Sequence, residues 1–272
     1  MPDLSPETFA QIRDLVRQIC GVVLAEGKEY LVVHRIGPLV RESGAASYAA
    51  FLARVRSERQ GPWYLRLIDA ITTHETSFFR DGHPFEAITR AVLPWLWDEI
   101  RARKKRLPAR RGPKARIWCA ATSTGQEPYS LAMLLHEVIE RDHPPGVTAD
   151  DLAILATDIS TQVLSTAMNG RYSGLMVGRG LSEERRRRFF TQTGADTWEV
   201  SAPLRSMVEF KALNLLQPFT HLGPSDVILC RNVLIYFEAS VRRLIVEQLR
   251  DLLPAGGFLL LGAAESTDAP IR

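Results

Sequence analysis

Apolar residues recur at helical spacing along the first seventy residues. In the first of these stretches they share one helix face, at Phe9, Ile12, Val16 and Ile19. Ser5 can cap this helix and Pro6 suits its first position. Residues 48–55 repeat the pattern, and no strand-like alternation interrupts it. We therefore predict that residues 1–71 form an N-terminal all-helical domain.

From residue 115 onward, short apolar runs alternate with amphipathic helices. Four runs predict buried strands, at 115–121, 152–157, 226–230 and 257–262. Helices are predicted at 127–140, from Ser160 to Gly170, and at 238–253. The last of them is predicted to bury Val241, Leu244, Ile245, Leu249 and Leu252. Such alternation is typical of a parallel sheet with helices on both faces, so residues 115–272 are predicted to form an α/β domain.

Residues 171–213 break this alternation. A short helix is predicted at 182–190, with acidic residues near its start and arginines near its end, as the helix dipole favours. Two stretches of alternating character follow, at 197–200 and 207–213. We interpret the segment from about 171 to 210 as a small antiparallel β-subdomain inserted in the sheet domain.

A strongly basic stretch, Arg101–Arg116, contains nine Lys and Arg residues, two prolines and a glycine. This composition predicts an exposed connector, and residues 72–114 are interpreted as a linker helix followed by that connector. Without interleaved aromatic residues the stretch does not favour nucleic-acid binding. The polar faces of the first seventy residues are also basic, which is typical either of a solvated surface or of a docking surface for an acidic partner.

Composition narrows the remaining choices. The 272 residues are 46% hydrophobic and carry a formal net charge of +3, both ordinary for a globular protein. Cys20, Cys119 and Cys230 are far apart, which favours neither a disulfide framework nor a metal site. No apolar run reaches the ~20 residues of a membrane span, and the N-terminus lacks the pattern of a secretory signal. A cytoplasmic protein without a metal or direct membrane insertion is expected.

The first candidate for chemistry is the predicted carboxyl edge of the parallel sheet, where such folds bind ligands. Small residues at 120–125 follow the first strand, and Asp158 follows the second, where a carboxylate can accept both hydroxyls of a ribose. These features fit NAD, FAD, S-adenosylmethionine (SAM) or a tight turn. The phosphate-binding pattern G-x-G-x-x-G is absent, since Gly125 stands alone, and this disfavours dinucleotides.

Six strings in the chain resemble the bacterial chemotaxis receptor methyltransferases of the CheR type. In order they are ITTHETSFFRD (71–81), WCAATSTGQEPYS (118–130), ATDIS (156–160), VEFKALNL (208–215), DVILCRNVLIYF (226–237) and GGFLLLGAAEST (256–267). The resemblance implies a Rossmann-like SAM-dependent methyltransferase domain behind an all-helical domain, with a β-subdomain insertion.

The resemblance also implies roles for individual residues. The positions that line the SAM site in the family are His74, Thr76, Arg80, Glu127, Asp158, Asn214, Leu215, Arg231 and Asn232. Asp158 would hold the ribose, Glu127 the methionine amino end, and Asn214-Leu215 the adenine. Arg80 and Tyr236 would orient the acceptor carboxylate as the catalytic pair.

Each of these residues also has a purely structural interpretation. Arg80 could be a salt-bridging helix residue, and Asp158 could cap the helix that begins near Ser160. Glu127 could complement a helix dipole, and Tyr236 could be an interior aromatic. The strand ends near residues 124, 158 and 231 are expected to converge with Arg80 and Tyr236 if the functional interpretation holds.

The chain departs from the family pattern in four ways. His74 replaces an Asn at a position that contacts SAM in the family. An imidazole can still donate a hydrogen bond there, but the strength of that contact can then depend on pH. Gln126 replaces a Glu. The loop at 194–196 is shorter than in members that grip a receptor's C-terminal peptide, which favours recognition without such a tether. The family continues through a closing strand pair after its GAAES string, so an open sheet edge is expected here.

The function implied is SAM-dependent O-methylation of glutamate side chains on chemoreceptor cytoplasmic helices, with S-adenosylhomocysteine (SAH) as the second product. One alternative is a SAM-sensing binding or scaffold module without turnover. A nicotinamide-dependent oxidoreductase is another.

Overall fold

The computed structural model describes residues 4–58, 60–106 and 112–265. The helices are α1 (Pro6–Cys20), α2 (Glu29–Arg35), α3 (Gly37–Glu42), α4 (Tyr48–Ser57), α5 (Pro62–Ile71), α6 (His83–Ala87), α7 (Leu93–Arg106), α8 (Gln126–Asp142), α9 (Thr161–Asn169), α10 (Gly174–Gly178), α11 (Glu183–Phe189), α12 (Ala202–Ser206) and α13 (Ala239–Asp251). The strands are β1 (Ala115–Ala120), β2 (Leu152–Asp158), β3 (Arg171–Ser173), β4 (Phe190–Gly194), β5 (Thr197–Val200), β6 (Val208–Ala212), β7 (Val227–Cys230) and β8 (Phe258–Leu261). A π-helical turn, Ile88–Val92, joins α6 to α7.

The first five helices pack around a hydrophobic core of their own. The predicted start of α1 is confirmed: the Ser5 hydroxyl accepts a hydrogen bond from Thr8 N at 3.2 Å, and Pro6 occupies the first position. Gly21 ends α1 with φ at 74°, a left-handed conformation that favours glycine. The predicted all-helical region is therefore present, while the division of the chain at residues 71 and 114 stays a prediction.

The main sheet has five parallel strands in the order β6-β2-β1-β7-β8. Along β1, Ile117 and Cys119 enter one hydrophobic core while Trp118 and Ala120 enter another. Burial on both faces explains why the sequence of these strands is apolar almost throughout. Ala120 pairs with positions in both β2 and β7, so three strands end at the same edge.

A second, three-stranded antiparallel sheet has the order β3-β5-β4. The predicted β insertion is thus confirmed, but the assignment of residues 207–213 to it is wrong. β6 instead pairs in parallel with β2. Because β6 lies at the edge of the main sheet and most of its side chains are not fully buried, its sequence lacks the continuous apolar character of the inner strands. Of the three strands of the insertion only β5 was predicted; the sequence pattern did not predict β3 or β4.

The interpretation of the basic stretch as an exposed connector is wrong for residues 101–106, which are the last turns of α7. Arg103 makes two hydrogen bonds, of 2.6 and 2.9 Å, to the carboxylate of Asp226, and Lys104 lies 2.6 Å from an oxygen of Asp151. These acids stand just before β7 and β2, so α7 docks at the amino edge of the sheet. Residues 107–111 lie outside the described residues.

Helix α13 buries a narrower face than its sequence pattern predicts. Leu244 was predicted to be buried but is 56% exposed, because α13 buries a narrower stripe that centres on Ile245 and Leu249.

In the described part of the chain β8 pairs only with β7, and the residues after 265 lie outside that part. None of the helices described is both long and apolar enough to cross a bilayer.

We expect the Asp226→Asn change to lower the free energy of unfolding by about 3 kcal/mol, because it removes the buried carboxylate that binds Arg103 and leaves only the longer contact of 3.3 Å to Glu99. Chemical denaturation followed by circular dichroism measures this. The matched control is Asp98→Asn, whose ion pair with Arg101 is exposed and should be worth less than about 1 kcal/mol. Equal losses in the two variants would contradict a structural role for the buried pair.

Candidate active site

A cleft of about 1050 Å³ opens at the carboxyl edge of the main sheet. All ten residues predicted to bind the cofactor or to orient the acceptor line it: His74, Thr76, Arg80, Glu127, Asp158, Asn214, Leu215, Arg231, Asn232 and Tyr236. The tip of β1 contributes residues 121–123, whereas Thr124 does not line the cleft. Its carbonyl oxygen accepts a hydrogen bond from the Tyr172 hydroxyl. The structure therefore brings the predicted residues together at the predicted edge.

Arg231, directly after β7, holds the centre of this cleft. Its side chain is 2% exposed and donates to Glu127 Oε2 at 2.7 Å and to Asp81 Oδ2 at 2.8 Å. A third hydrogen bond, of 3.3 Å, is donated to the carbonyl oxygen of Arg80. Burial raises the pKa of Glu127, and the nearby guanidinium opposes that shift. Glu127 lies in the first turn of α8, where a carboxylate complements the helix dipole, and it also lines the cleft.

Arg80 lies in a tight loop rather than in a helix. Its neighbours Phe79 and Asp81 both have left-handed backbone conformations, with φ at 47° and 70°. Such conformations are costly for non-glycine residues and cluster at functional sites. The guanidinium donates to the Glu75 carbonyl oxygen at 2.9 Å, and it forms no ion pair with any residue that the structure describes. The interpretation of Arg80 as a salt-bridging helix residue is therefore wrong.

Asp158 ends β2 with both carboxylate oxygens engaged by backbone. Oδ2 accepts from Ser123 N at 2.8 Å and Oδ1 from Ser160 N at 3.0 Å. Burial raises its pKa, and these hydrogen bonds oppose the shift. The cap of α9 is Ser160, whose hydroxyl accepts from Val163 N. Asp158 thus fixes the tips of β1 and β2 and still faces the cleft with its remaining lone pairs.

Asn214 connects the cleft to the helical region. Its Nδ2 donates to Ile19 O at 2.7 Å, and its Oδ1 accepts from Leu216 N at 3.0 Å. The imidazole of His74 also turns toward the helices: Nε2 lies 2.9 Å from the Thr72 hydroxyl oxygen. That hydroxyl donates to a carbonyl of α5, so the His74 nitrogen is the donor in this contact.

The end of α1 forms one wall of the cleft, which the sequence did not predict. Cys20 and Val22 line the cavity, and Val23 N donates to Tyr236 O at 3.1 Å. Gly21 packs so closely that an added Cβ would lie 2.6 Å from the ring of Phe237. Burial raises the pKa of Cys20 to about 11, so its thiol stays protonated at neutral pH and serves as wall, not as nucleophile. No motif in the sequence signals this contribution.

Two polar atoms at the cleft are buried without a hydrogen-bond partner. They are Thr122 Oγ1 and Arg231 Nε, two of six such side-chain atoms in the described part of the chain. Buried polar groups are normally paired, and both residues line the cleft, but the two atoms themselves are buried behind its surface. Thr122 was not predicted individually, but it lies in the run of small residues at 120–125 that indicated a ligand-binding loop.

Two family models match the chain. The CheR methyltransferase all-alpha domain matches residues 7–72, and the CheR methyltransferase SAM-binding domain matches residues 74–270. The chain belongs to the CheR methyltransferase family. Its relatives include chemotaxis protein methyltransferase 1 of Pseudomonas aeruginosa, 41% identical over 258 residues that cover 95% of this chain and 89% of that protein. The chemotaxis protein methyltransferase of Escherichia coli is 33% identical over 266 residues, covering 97% of this chain and 85% of that protein.

Family membership makes the sheet domain a SAM-binding methyltransferase domain, and the cleft fits such a ligand. Asp158 offers carboxylate oxygens, and the small residues at 121–123 allow close backbone approach. Among the residues described, no cluster of three or more His, Cys, Asp or Glu side chains could hold a metal ion.

We expect Gly21→Ala to weaken SAH binding about tenfold or more, because the new methyl group pushes the end of α1 off Phe237. Calorimetry measures the dissociation constant. Gly27→Ala is the matched control: Gly27 has nearly the same φ, 78°, yet nothing lies within 4 Å of its added Cβ. Both variants carry the same backbone strain, so equal affinities would exclude α1 as a wall of the binding site.

Thr122→Val removes the unpaired hydroxyl at nearly constant volume. If the hydroxyl meets a polar group of the ligand, SAH affinity falls by about five- to tenfold while the unliganded protein becomes more stable, since an unsatisfied buried group is lost. Calorimetry and thermal melting of the free protein read these two opposite effects. Unchanged affinity together with increased stability would show that the hydroxyl has no ligand partner.

Proposed function

We propose that this protein transfers the methyl group of SAM to glutamate side chains on the cytoplasmic helices of chemoreceptors, and so supports chemotactic adaptation. The products are glutamate methyl esters and SAH. The observation that carries the proposal is that Arg80 and Tyr236 face the same cleft as Asp158, Glu127 and Arg231 in a chain of this family.

Bound SAM supplies a methyl group that its sulfonium already activates. An acceptor glutamate, with an ordinary pKa near 4.3, is ionised at neutral pH, so the chain needs no general base. The protein's task is to hold the carboxylate in line in a cleft that excludes water. Such positioning can lower a barrier by ~7–11 kcal/mol.

The proposed roles in holding SAM follow from the contacts in the cleft. Asp158 binds the ribose hydroxyls with the lone pairs that its backbone partners leave free, and Glu127 binds the amino group with the oxygen that Arg231 does not occupy. Because the Asn214 side chain is engaged by Ile19 and Leu216, we assign adenine recognition to the backbone at Asn214-Leu215.

Arg80 and Tyr236 are proposed to orient the acceptor. One hydrogen bond fixes the Arg80 guanidinium within its own loop and leaves its other donors free. No residue that the structure describes accepts a hydrogen bond from the Tyr236 hydroxyl, so this group is available to a carboxylate. Charge is neutralised as the ester forms, so a very tight grip on the carboxylate would stabilise the ground state more than the transition state.

The receptor is proposed to bind without a tethering peptide. The turn between β4 and β5 has only two residues, Ala195 and Asp196, and Asp196 is occupied by a hydrogen bond from Gly174 N. The basic helical region is proposed to meet acidic receptor helices. Its ion pairs at Arg13 and Arg54 are largely exposed, and such pairs are weak enough to exchange partners.

We expect the wild-type chain to transfer labelled methyl groups from SAM to receptor-containing membranes, with base releasing the label as volatile methanol. Tyr236→Phe should lower kcat/KM for the receptor about tenfold or more, as loss of a hydrogen bond to a charged group does, and Arg80→Ala should lower it further. The control is Arg187→Ala, an exposed arginine on α11, with activity near wild type.

Protein that binds SAH but forms no base-labile ester on any receptor would contradict the proposal and favour a SAM-sensing module. Wild-type activity in Arg80→Ala would show that this side chain does not place the acceptor.

A further inference from the structure

Glu265, beyond the end of β8, is a nearly buried carboxylate with an unusual set of partners. It is 9% exposed and accepts hydrogen bonds from four backbone N–H groups. Oε2 accepts from Asn232 N at 2.8 Å and Gly262 N at 2.6 Å, while Oε1 accepts from Val233 N at 2.7 Å and Leu234 N at 2.6 Å. No Lys or Arg of the described ranges forms an ion pair with it.

Three of these donors belong to one segment, which leads from β7 into the short 3-10 turn Leu234–Tyr236. The first N–H groups of such a turn have no partner within it and need an external acceptor. Asn232 also has a left-handed backbone with φ at 59°, which is costly unless the surroundings enforce it. Glu265 supplies both requirements, since it satisfies the donors and fixes the chain at the strained residue.

Gly262 shows how closely the two segments approach. A Cβ on this residue would lie 2.6 Å from Glu265 Oε2 and 2.9 Å from Asn232 N. No larger residue fits there without displacing the carboxylate or the segment it holds. The contact is therefore a packed junction between the ends of β7 and β8.

The held segment carries three cleft-lining residues, Asn232, Val233 and Tyr236, whereas Glu265 itself does not line the cleft. We propose that Glu265 is a positioning residue of the methyl-transfer site, which acts by fixing the segment 232–236 and hence the Tyr236 side chain. This inference rests on the proposed function for the role of Tyr236, and on geometry alone for the junction.

The Glu265→Gln variant of the full chain tests it. Glutamine keeps one acceptor oxygen but places an NH₂ group against two of the four N–H donors, so the segment must shift. We expect kcat to fall by about 100-fold at a temperature where the variant is folded, with SAH affinity lowered by about tenfold through Asn232. Asp151→Asn is the matched control, since Asp151 is equally buried but lies at the amino edge of the sheet. It should lower the melting temperature and leave kcat within about twofold of wild type.

A double-mutant cycle distinguishes positioning from a merely structural role. If Glu265 acts through Tyr236, the variant that combines Glu265→Gln with Tyr236→Phe loses little more activity than Glu265→Gln alone. Effects that multiply would overturn the proposal, as would wild-type kcat and SAH affinity in folded Glu265→Gln.

If Glu265→Gln does not fold, Glu265→Asp keeps the charge but withdraws the oxygens by one methylene group. A lowered kcat in that folded variant supports the proposal, and wild-type kcat overturns it. If the wild-type chain binds SAH but transfers no methyl group, the proposed function fails. Weaker SAH binding in Glu265→Gln than in Asp151→Asn would then still support the junction.

Discussion

The cleft depends on a single buried cation. Arg231 joins three segments that are far apart in the sequence: the loop at 78–82, the first turn of α8 and the end of β7. A guanidinium with so little exposure is tolerable only because carboxylates and a carbonyl oxygen surround it. Its geometry fixes where Arg80 stands, since it binds the backbone of that residue.

Periodicity and capping residues were enough to predict much of the fold. The start of α1, the inner strands β1, β2 and β7, and the limits of α9 at Ser160 and Gly170 are local features, and the structure has each of them. The errors arose where long-range pairing decides. β6 looks like a surface strand because it lies at a sheet edge, and the basic end of α7 is helical because acids more than forty residues away receive its side chains.

The candidate site divides in the same way. Asp158 could be placed at the carboxyl edge from the strand pattern, because parallel strands end together. Arg80 was placed in the same cleft only by the resemblance of its string to the family. Cys20 and Val22 could not be placed there, since nothing local indicates that a helix end from another region closes the cavity. Glu265 was part of a matched string, yet its importance lies in four backbone groups whose convergence requires the left-handed turn at Asn232.

The close packing of Gly21 against Phe237 and Leu216 also bears on how members of this family can diversify. A helical region exchanged between homologues would bring a foreign helix end into the catalytic cavity. Recombination of the helical and sheet regions is therefore constrained to pairs in which the residues that meet at Gly21, Leu216 and Phe237 have changed together. Functional chimeras should be found where the crossover preserves the contact of Gly21 with Phe237 and Leu216, even if the exposed faces of the N-terminal helices differ widely.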